Sequence, residues 1–572
     1  MVTRLEDLPR RQTITENVDD LYTRIKDVYI TMRDGVELCV NVFLPLATSR
    51  LGAKVPVLCS LGPYGKDVPV SLLGLPKTDI YMKMMSKIEQ GPDACFELVD
   101  PAVWTHKFGY AIVRADTRGS GGSYGRLDPF GLERSLKLGA DAEGQDVHDL
   151  VEWAGTQPWS SGKVGLTGIS YYGMVCYWGA MQKPKHLKAI VPYEGATDMF
   201  NLTVRMGGIG NPPFQSHWYS NLCVMAQRGR QEGLSEEELK KNRVDFVKLI
   251  YEHEFADDGV WQVLKKCRNL ADIEVPVYSA GNWTDPEIHL PGNIDAFLNV
   301  SSKHRWLEMH AGNHLAAFYE PKHIESQRKF LDYFLLDKHD SGIVEVPRIM
   351  LTTIQGDNVQ SYRAEESFPP TDAESISLYI TPDRALSFTK PTGEPKKIGY
   401  EGLTGQIEFE SQPFTENFEI LGCPYLELTI ATEADDMDIF CYMRSKKLTA
   451  KELVIFRGNH DEPINNFCRT WLRLSHRESA EKLFAMKIPY VQNESPAPVE
   501  KGKFYTVIVP FMPTSYVFEP GFKLNLEIGA CGTAEALPIM RHAGGDRTPE
   551  RFGGKNFILS GSKLVLPRVK RA

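Results

Sequence analysis

The sequence predicts an α/β fold: a mostly parallel sheet covered by helices on both faces, interrupted by a helical insertion and followed by a β-sandwich. Three observations predict it. Short apolar runs alternate with helix-compatible stretches through the first half of the chain, the pattern of strands buried on both faces. Strand-like runs stop between about Asp198 and Leu270. Beyond Leu336, short alternating β-rich runs recur between Gly, Pro and Asx turns, the pattern of a sandwich or jelly roll.

Residues 1–20 read as a loose polar leader. From Asp27 to Leu44 two alternating runs flank Arg33-Asp34-Gly35, a hairpin signal. The apolar segments Val55–Leu61, Tyr110–Ala115, Val164–Thr167, Ala189–Pro192, Val275–Ala280 and Arg305–Met309 follow, with helical stretches such as Asp141–Trp153 among them. Antiparallel strands leading into parallel ones fit an α/β-hydrolase core, assigned to residues 20–197 and 271–345. Residues 198–270 form the helical cap insertion. There Ser235-Glu236-Glu237-Glu238 is a capping box, opening a helix expected to run through Leu249. The Gly/Pro/aromatic stretch Met206–Tyr219 is placed to line a pocket. Residues 346–572 are assigned to a C-terminal jelly-roll β-sandwich, whose long loop Ser475–Glu500 is expected to pack against the other domains.

Length and composition narrow the function classes. At 572 residues the chain exceeds one ordinary domain. With 65 basic and 74 acidic residues the net charge is −9, which argues against nucleic acid or an anionic membrane as partner. No apolar run approaches the ~18 residues of a membrane span. The ten cysteines form no C-x-x-C pair and no Cys/His cluster with zinc spacing. They read as reduced thiols of a cytoplasmic protein. The charged stretch Met1–Glu16 lacks the apolar core of a secretory signal.

The chemistry is carried by Gly168-Ile169-Ser170-Tyr171-Tyr172-Gly173. The run follows a short apolar strand and opens a helical stretch, the layout of a nucleophile elbow. A serine hydroxyl needs a base, and the base needs an orienting carboxylate. In this fold they follow in the order Ser, acid, His. Asp285, just past the strand Val275–Ala280, is the candidate acid. His314 and His310, in His310-Ala311-Gly312-Asn313-His314, compete as base, with His314 favoured and His289 and His217 as lesser candidates. The Tyr171 N–H is the first expected oxyanion donor. Tyr64, in Gly62-Pro63-Tyr64-Gly65-Lys66, is a candidate for the second.

The elbow resembles the G-x-S-Y-x-G run of the CocE/NonD hydrolases, relatives of the X-Pro dipeptidyl-peptidases. That pattern accounts for a second glycine at Gly173 rather than two residues after serine. Gly62-Pro63-Tyr64, the run from Arg114 to Ser123, Gln157-Pro158-Trp159 and Trp283-Thr284-Asp285 resemble the family too, as do Phe418–Met443 and Phe504–Ile528. The resemblance implies Ser170 as nucleophile, Asp285 as acid and Tyr64 as side-chain oxyanion donor. The family commonly has G-P-W-x-H before its histidine, and the last position matches His314. Family members act on esters and amides, including cocaine, glutaryl-cephalosporins and X-Pro peptides. By location, Trp218, Tyr219 and Trp283 are the expected pocket aromatics.

These readings converge on a serine hydrolase cleaving an ester or amide of a small acyl substrate through a covalent acyl-enzyme. It needs no metal or cofactor and no nucleic-acid or membrane partner. A homo-oligomer is left open. The alternatives are an acyltransferase using the same triad and an X-Pro dipeptidyl-peptidase.

Overall fold

The computed structural model describes residues 5–69, 90–285, 288–356, 358–447, 452–532 and 546–571. The N-terminal part is built on an eleven-stranded sheet. Its strands are β1 (Ile14–Val18), β2 (Tyr22–Thr31), β3 (Glu37–Pro45), β4 (Val55–Gly62), β5 (Ala111–Asp116), β6 (Ser160–Ile169), β7 (Leu187–Tyr193), β8 (Val277–Asn282), β9 (Arg305–His310) and β10 (Ile349–Leu351). They lie in the order β1-β2-β3-β5-β4-β6-β7-β8-β9-β10, with a short strand, Arg363–Glu365, at the edge. From β5 to β10 every pairing along this order is parallel, whereas β1, β2 and β3 pair antiparallel and β3 meets β5 antiparallel.

The expected hairpin is present, with Gly35 at φ 86° in its turn. Two expectations need correction. The leader is not wholly loose: β1 pairs with β2 from Ile14↔Lys26 to Val18↔Tyr22, even though four of its five residues are exposed. Nor does the first sheet end at residue 345. The strands Ile349–Leu351 and Arg363–Glu365 extend it, because β10 continues the parallel ladder of β9.

The helices follow local sequence. In α1 (Ala142–Thr156) the Asp141 side chain accepts from Gly144 N–H and caps the start. In α2 (Tyr171–Met181) all eleven residues are buried. That explains why this segment is apolar on every side rather than striped. α3 (Gly292–Asn299) and α4 (Pro321–Leu335) follow β8 and β9.

Between β7 and β8 the described residues from Phe200 to Asp272 form only helical elements. The Ser235 capping box is present, with both reciprocal hydrogen bonds. Its helix, Glu236–Lys241, is shorter than expected, and Phe246–Tyr251 is a separate helix capped by Asp245. The break falls where Asn242 leaves the helix to donate to Gly125 O and Leu127 N–H donates to Asn242 O, tying the insertion to the loop after β5.

The C-terminal half is β-rich, a fifteen-stranded arrangement with its own apolar core. The seven β-rich runs that the sequence offers as strands here, Ile376–Ile380, Ile407–Glu410, Phe418–Ile420, Tyr425–Ala431, Met437–Met443, Phe504–Val509 and Phe522–Ile528, each fall on a strand. Strands absent from the expectation include Cys468–Arg473, Thr514–Phe518 and Lys563–Val569. The loop Ser475–Glu500 packs on the helical insertion: Asn493 Nδ2 donates to Asn201 Oδ1 and Arg205 O, and Ala256 N–H donates to Asn493 O. Among the described residues no helix is long and apolar enough to cross a membrane.

Candidate active site

Ser170 sits at the corner between β6 and α2 with φ 58° and ψ −118°, a conformation L-residues rarely adopt. Backbone bonds hold it there: Ser170 N–H donates to Tyr193 O at 3.0 Å, and Met174 N–H donates to Ser170 O at 2.8 Å. The corner works only if its neighbours are small. A Cβ at Gly168 would collide with Tyr172, and one at Gly173 would stand 2.5 Å from Tyr193 O. The second glycine therefore belongs where α2 crosses β7, one residue later than in the commoner pattern.

The imidazole against this serine is that of His289. Its Nε2 lies 3.1 Å from Ser170 Oγ, and its Nδ1 is bonded to Asp285 Oδ2. A carboxylate only accepts, so Nδ1 carries the hydrogen and Nε2 presents its lone pair to the serine hydroxyl. Asp285 follows the C-terminal end of β8, the sheet edge where ligands and catalytic groups gather in open α/β folds. Leu290 N–H returns to Asp285 O at 3.1 Å, which brings His289 back beside the acid. α3 is then pinned through Asn293, which accepts from Gly195 N–H and donates to Tyr177 Oη, Pro192 O and Ser279 Oγ.

Burial alone would raise the Asp285 carboxyl, but the adjoining His289 charge and hydrogen bond outweigh it and hold the group below its usual range. His289 is pushed below the ordinary histidine value by burial, with Asp285 opposing. A neutral imidazole beside an ionised carboxylate is the resting state of a general base.

The expected base, His314, is placed elsewhere. Its Nδ1 bonds Glu194 Oε2 at 2.7 Å and its Nε2 bonds Glu97 Oε1 at 3.2 Å. With both ring nitrogens engaged by carboxylates, neither is offered to Ser170. Burial disfavours its charge, but the two glutamates override that and raise it well above the usual histidine value. Its ring stacks on His289 at 5.1 Å between centroids and 12° between planes. His310 is buried 3.3 Å from Glu194 Oε1, and burial lowers its pKa to about 3. His217 lies in the insertion, bonded to Asn221.

Glu97 and Glu194 were not among the sequence candidates. Their one signal is positional: Glu194 directly follows β7, and Glu97 O receives the N–H of Ile169 next to the nucleophile. Both have positive φ, 61° and 44°, as does Ser170.

Tyr64 follows β4 in a loop held from below. The buried Lys66 Nζ bonds Asp27 Oδ1 at 2.8 Å and Asp67 Oδ2 at 2.7 Å, and Lys66 N–H donates to Asp116 Oδ1 at 2.7 Å. Tyr64 Oη accepts from Trp218 Nε1–H at 3.0 Å, leaving its own hydrogen to donate. Burial first, and then Glu97, raise its pKa, so the phenol stays protonated. Tyr171 begins α2, where backbone N–H groups lack intrahelical partners. Its hydroxyl donates to Glu143 Oε1 at 2.7 Å, fixing the side chain away from the chemistry.

Of the three expected pocket aromatics, Trp218 lies beside Tyr64. It stacks on Tyr171 and Phe130 and meets Tyr64 edge-on. Tyr219 instead donates to Val244 O and stacks on Phe246, as packing inside the insertion. Trp283 turns to the C-terminal core, its Nε1 donating to Thr352 O at 2.9 Å. Its strand-end position put it near Asp285 in sequence, but its ring points the other way.

The C-terminal half also reaches this site. His314 N–H donates to Asn459 O at 2.7 Å, and Asn313 Nδ2 donates to Asp461 Oδ2 at 2.8 Å.

Comparison with known proteins places this geometry in context. Residues 34–316 match the model of the X-Pro dipeptidyl-peptidase (S15) family, and residues 346–564 match the X-Pro dipeptidyl-peptidase C-terminal non-catalytic domain. The chain is 22% identical to cocaine esterase of Rhodococcus sp. (strain MB1 Bresler), over 97% of this chain and 100% of that protein. A CocE/NonD family hydrolase from Staphylococcus aureus superposes with a TM-score of 0.82 at 23% identity, covering 100% of this chain and 98% of that one. An α-amino acid ester hydrolase superposes with a TM-score of 0.67 at 17% identity, covering 98% and 99%.

Proposed function

We propose that this chain, which matches the X-Pro dipeptidyl-peptidase (S15) family model over residues 34–316 and its C-terminal non-catalytic domain over residues 346–564, is a serine hydrolase resembling the CocE/NonD hydrolases that cleaves an ester or amide of a small acyl substrate with Ser170, His289 and Asp285 as its triad. The observation that carries this reading is the continuous path from Ser170 Oγ through both His289 nitrogens to Asp285.

Ser170 Oγ attacks the substrate carbonyl carbon while His289 Nε2 takes the hydroxyl proton. Asp285 stays ionised and supports the imidazolium. The carbonyl oxygen becomes an oxyanion that meets the Tyr171 N–H and the Tyr64 O–H. When the intermediate collapses, the bond to the leaving alcohol or amine breaks, and His289 returns the proton to it. Water then gives a proton to His289 and attacks the acyl carbon, releasing the acid and restoring Ser170. Trp218, which meets Tyr64 edge-on and stacks on Phe130, is the side chain read as selecting the acyl half.

The alternative base is His314, favoured by its match to the family's histidine position and one stacked ring away from His289. Transfer of the acyl group to an alcohol or amine would use the same steps with a different second nucleophile. We read the C-terminal β unit as a jelly roll that braces the His314 loop through Asn459 and Asp461. The insertion is read as a cap over the site. We read the cysteines as reduced thiols, as expected in a reducing compartment, and place the protein in the cytoplasm.

The test is covalent labelling with a fluorophosphonate probe and mapping of the modified peptide. Label on Ser170, lost in Ser170→Ala, is the expected result. Undiminished labelling of the variant rejects the nucleophile.

A further inference from the structure

We propose that Glu194, Asp285, His289 and His314 form a binding site for a zinc-type divalent cation that overlaps the triad and switches the enzyme off when filled. Each of the four offers one ligand atom, and all these atoms lie within 4.8 Å of one another. They come from three strand ends: Glu194 after β7, Asp285 and His289 after β8, and His314 after β9. Glu194, Asp285 and His289 are buried, so the donors are held rather than free to swing into solvent.

The donor set has the chemistry of a borderline metal. Two imidazoles and two carboxylates suit zinc, whereas magnesium and calcium take oxygen shells. In a tetrahedral shell with bonds of about 2.0–2.2 Å, neighbouring donors stand about 3.4 Å apart. The present spread closes with side-chain shifts of under about an ångström. The cation displaces the proton that His314 holds toward Glu194, which leaves to solvent; the two carboxylate ligands then balance its charge in a buried place, where a net charge would be costly. A second observation points the same way. Asp285 Oδ1 is buried and has no hydrogen-bond partner, an acceptor left idle on one of the four ligand residues. Native structures rarely leave such an atom unsatisfied.

The consequence for catalysis follows from the imidazole itself. A neutral imidazole has one ring-nitrogen lone pair available. A cation on His289 takes that lone pair whichever nitrogen it binds, so the ring no longer accepts the Ser170 proton. Binding and hydrolysis are then mutually exclusive. This inhibitory consequence rests on the triad reading above, whereas binding of the cation does not.

The experiment separates the two. Zinc chloride is titrated into the full-length Ser170→Ala protein by calorimetry, and the measurement is repeated in Ser170→Ala/Glu194→Gln and Ser170→Ala/His314→Gln. One zinc per chain is expected, with affinity weakened at least about tenfold in each double variant, since each loses one of four ligands. Circular dichroism and Tm establish that each variant is folded. If one fails to fold, cobalt(II) absorption of the Ser170→Ala protein replaces it, a tetrahedral nitrogen/oxygen spectrum being expected. Absence of binding, affinity unchanged in the double variants, or an octahedral cobalt spectrum overturns the site. In the unsubstituted protein, zinc is expected to block fluorophosphonate labelling of Ser170 and a chelator to restore it. Zinc binding without any labelling, even after chelation, rejects the hydrolase reading and leaves the metal site standing. Labelling without zinc binding does the reverse.

Discussion

Replacing His289 by alanine tests the arrangement of the site most directly, because two histidines are stacked there and only one touches the nucleophile. The substitution removes the 3.1 Å contact with Ser170 Oγ and the bond to Asp285. Loss of a triad base costs about 10⁴-fold or more in kcat, about 5.4 kcal/mol of transition-state stabilisation. Asp285 would be left buried with neither oxygen bonded by a side chain, since its Oδ1 is already unpartnered. An uncompensated buried charge costs about 3–5 kcal/mol of stability. A lower Tm should therefore accompany the lost rate. His289→Gln, which keeps a donor toward Asp285, should recover stability without recovering rate. His314→Ala leaves the Ser170–His289–Asp285 path intact and removes the cation between Glu97 and Glu194. Its main effect should be on Tm, with a smaller loss in acylation. The assay is the pre-steady-state burst of a chromogenic acetate ester, read beside the fluorophosphonate labelling rate and thermal unfolding. A greater loss of burst rate in folded His314→Ala than in folded His289→Ala refutes the reasoning and returns the base to His314.

Two further outcomes are expected. Tyr64→Phe removes the side-chain oxyanion donor while keeping the aromatic packing, and should lower kcat about 10²–10³-fold with little change in Tm, as read in steady-state kinetics. Glu308 is a buried node that accepts from Tyr278 and Tyr362 and pairs with His323. Burial would raise its pKa, yet His323 and Tyr278 bring it down from 4.5 to about 2. A carboxylate depressed in the folded state contributes stability above its unfolded pKa, and that contribution is lost as pH falls from about 4.5 through about 2. At one pKa unit per 1.36 kcal/mol the full effect is about 3 kcal/mol. Tm measured across this window should fall more steeply in the unsubstituted protein than in Glu308→Gln, and parallel curves would contradict the assignment.

Much of this was legible from residue order alone. The elbow could be located because its chemistry is local: a strand, a strained serine and small neighbours lie within a few residues. The alternation of apolar runs placed every parallel strand of the core from β4 to β9, since burial on both faces leaves a continuous hydrophobic signature. Asp285 could be singled out because strand ends are predictable and catalytic groups gather there in such folds. The edge strands were harder. β1 is short and exposed, so its ladder leaves little mark on the sequence, and β10 lies beyond a break in the α/β pattern. The capping box predicted where its helix starts but not that Asn242 would end it, because that stop depends on a contact with Gly125, distant in the chain.

The chain order thus determined which kinds of groups could meet: a nucleophile at a corner, an acid after β8 and a choice of imidazoles. Tertiary structure decided which imidazole lies against the serine. Nothing in the spacing shows that Glu97 and Glu194 would converge on His314 and occupy both its nitrogens, or that His289 would lie beside the serine. Those outcomes depend on where β7, β8 and β9 end beside one another. Hydrogen-bond geometry among side chains from separate strands is fixed only when the sheet assembles.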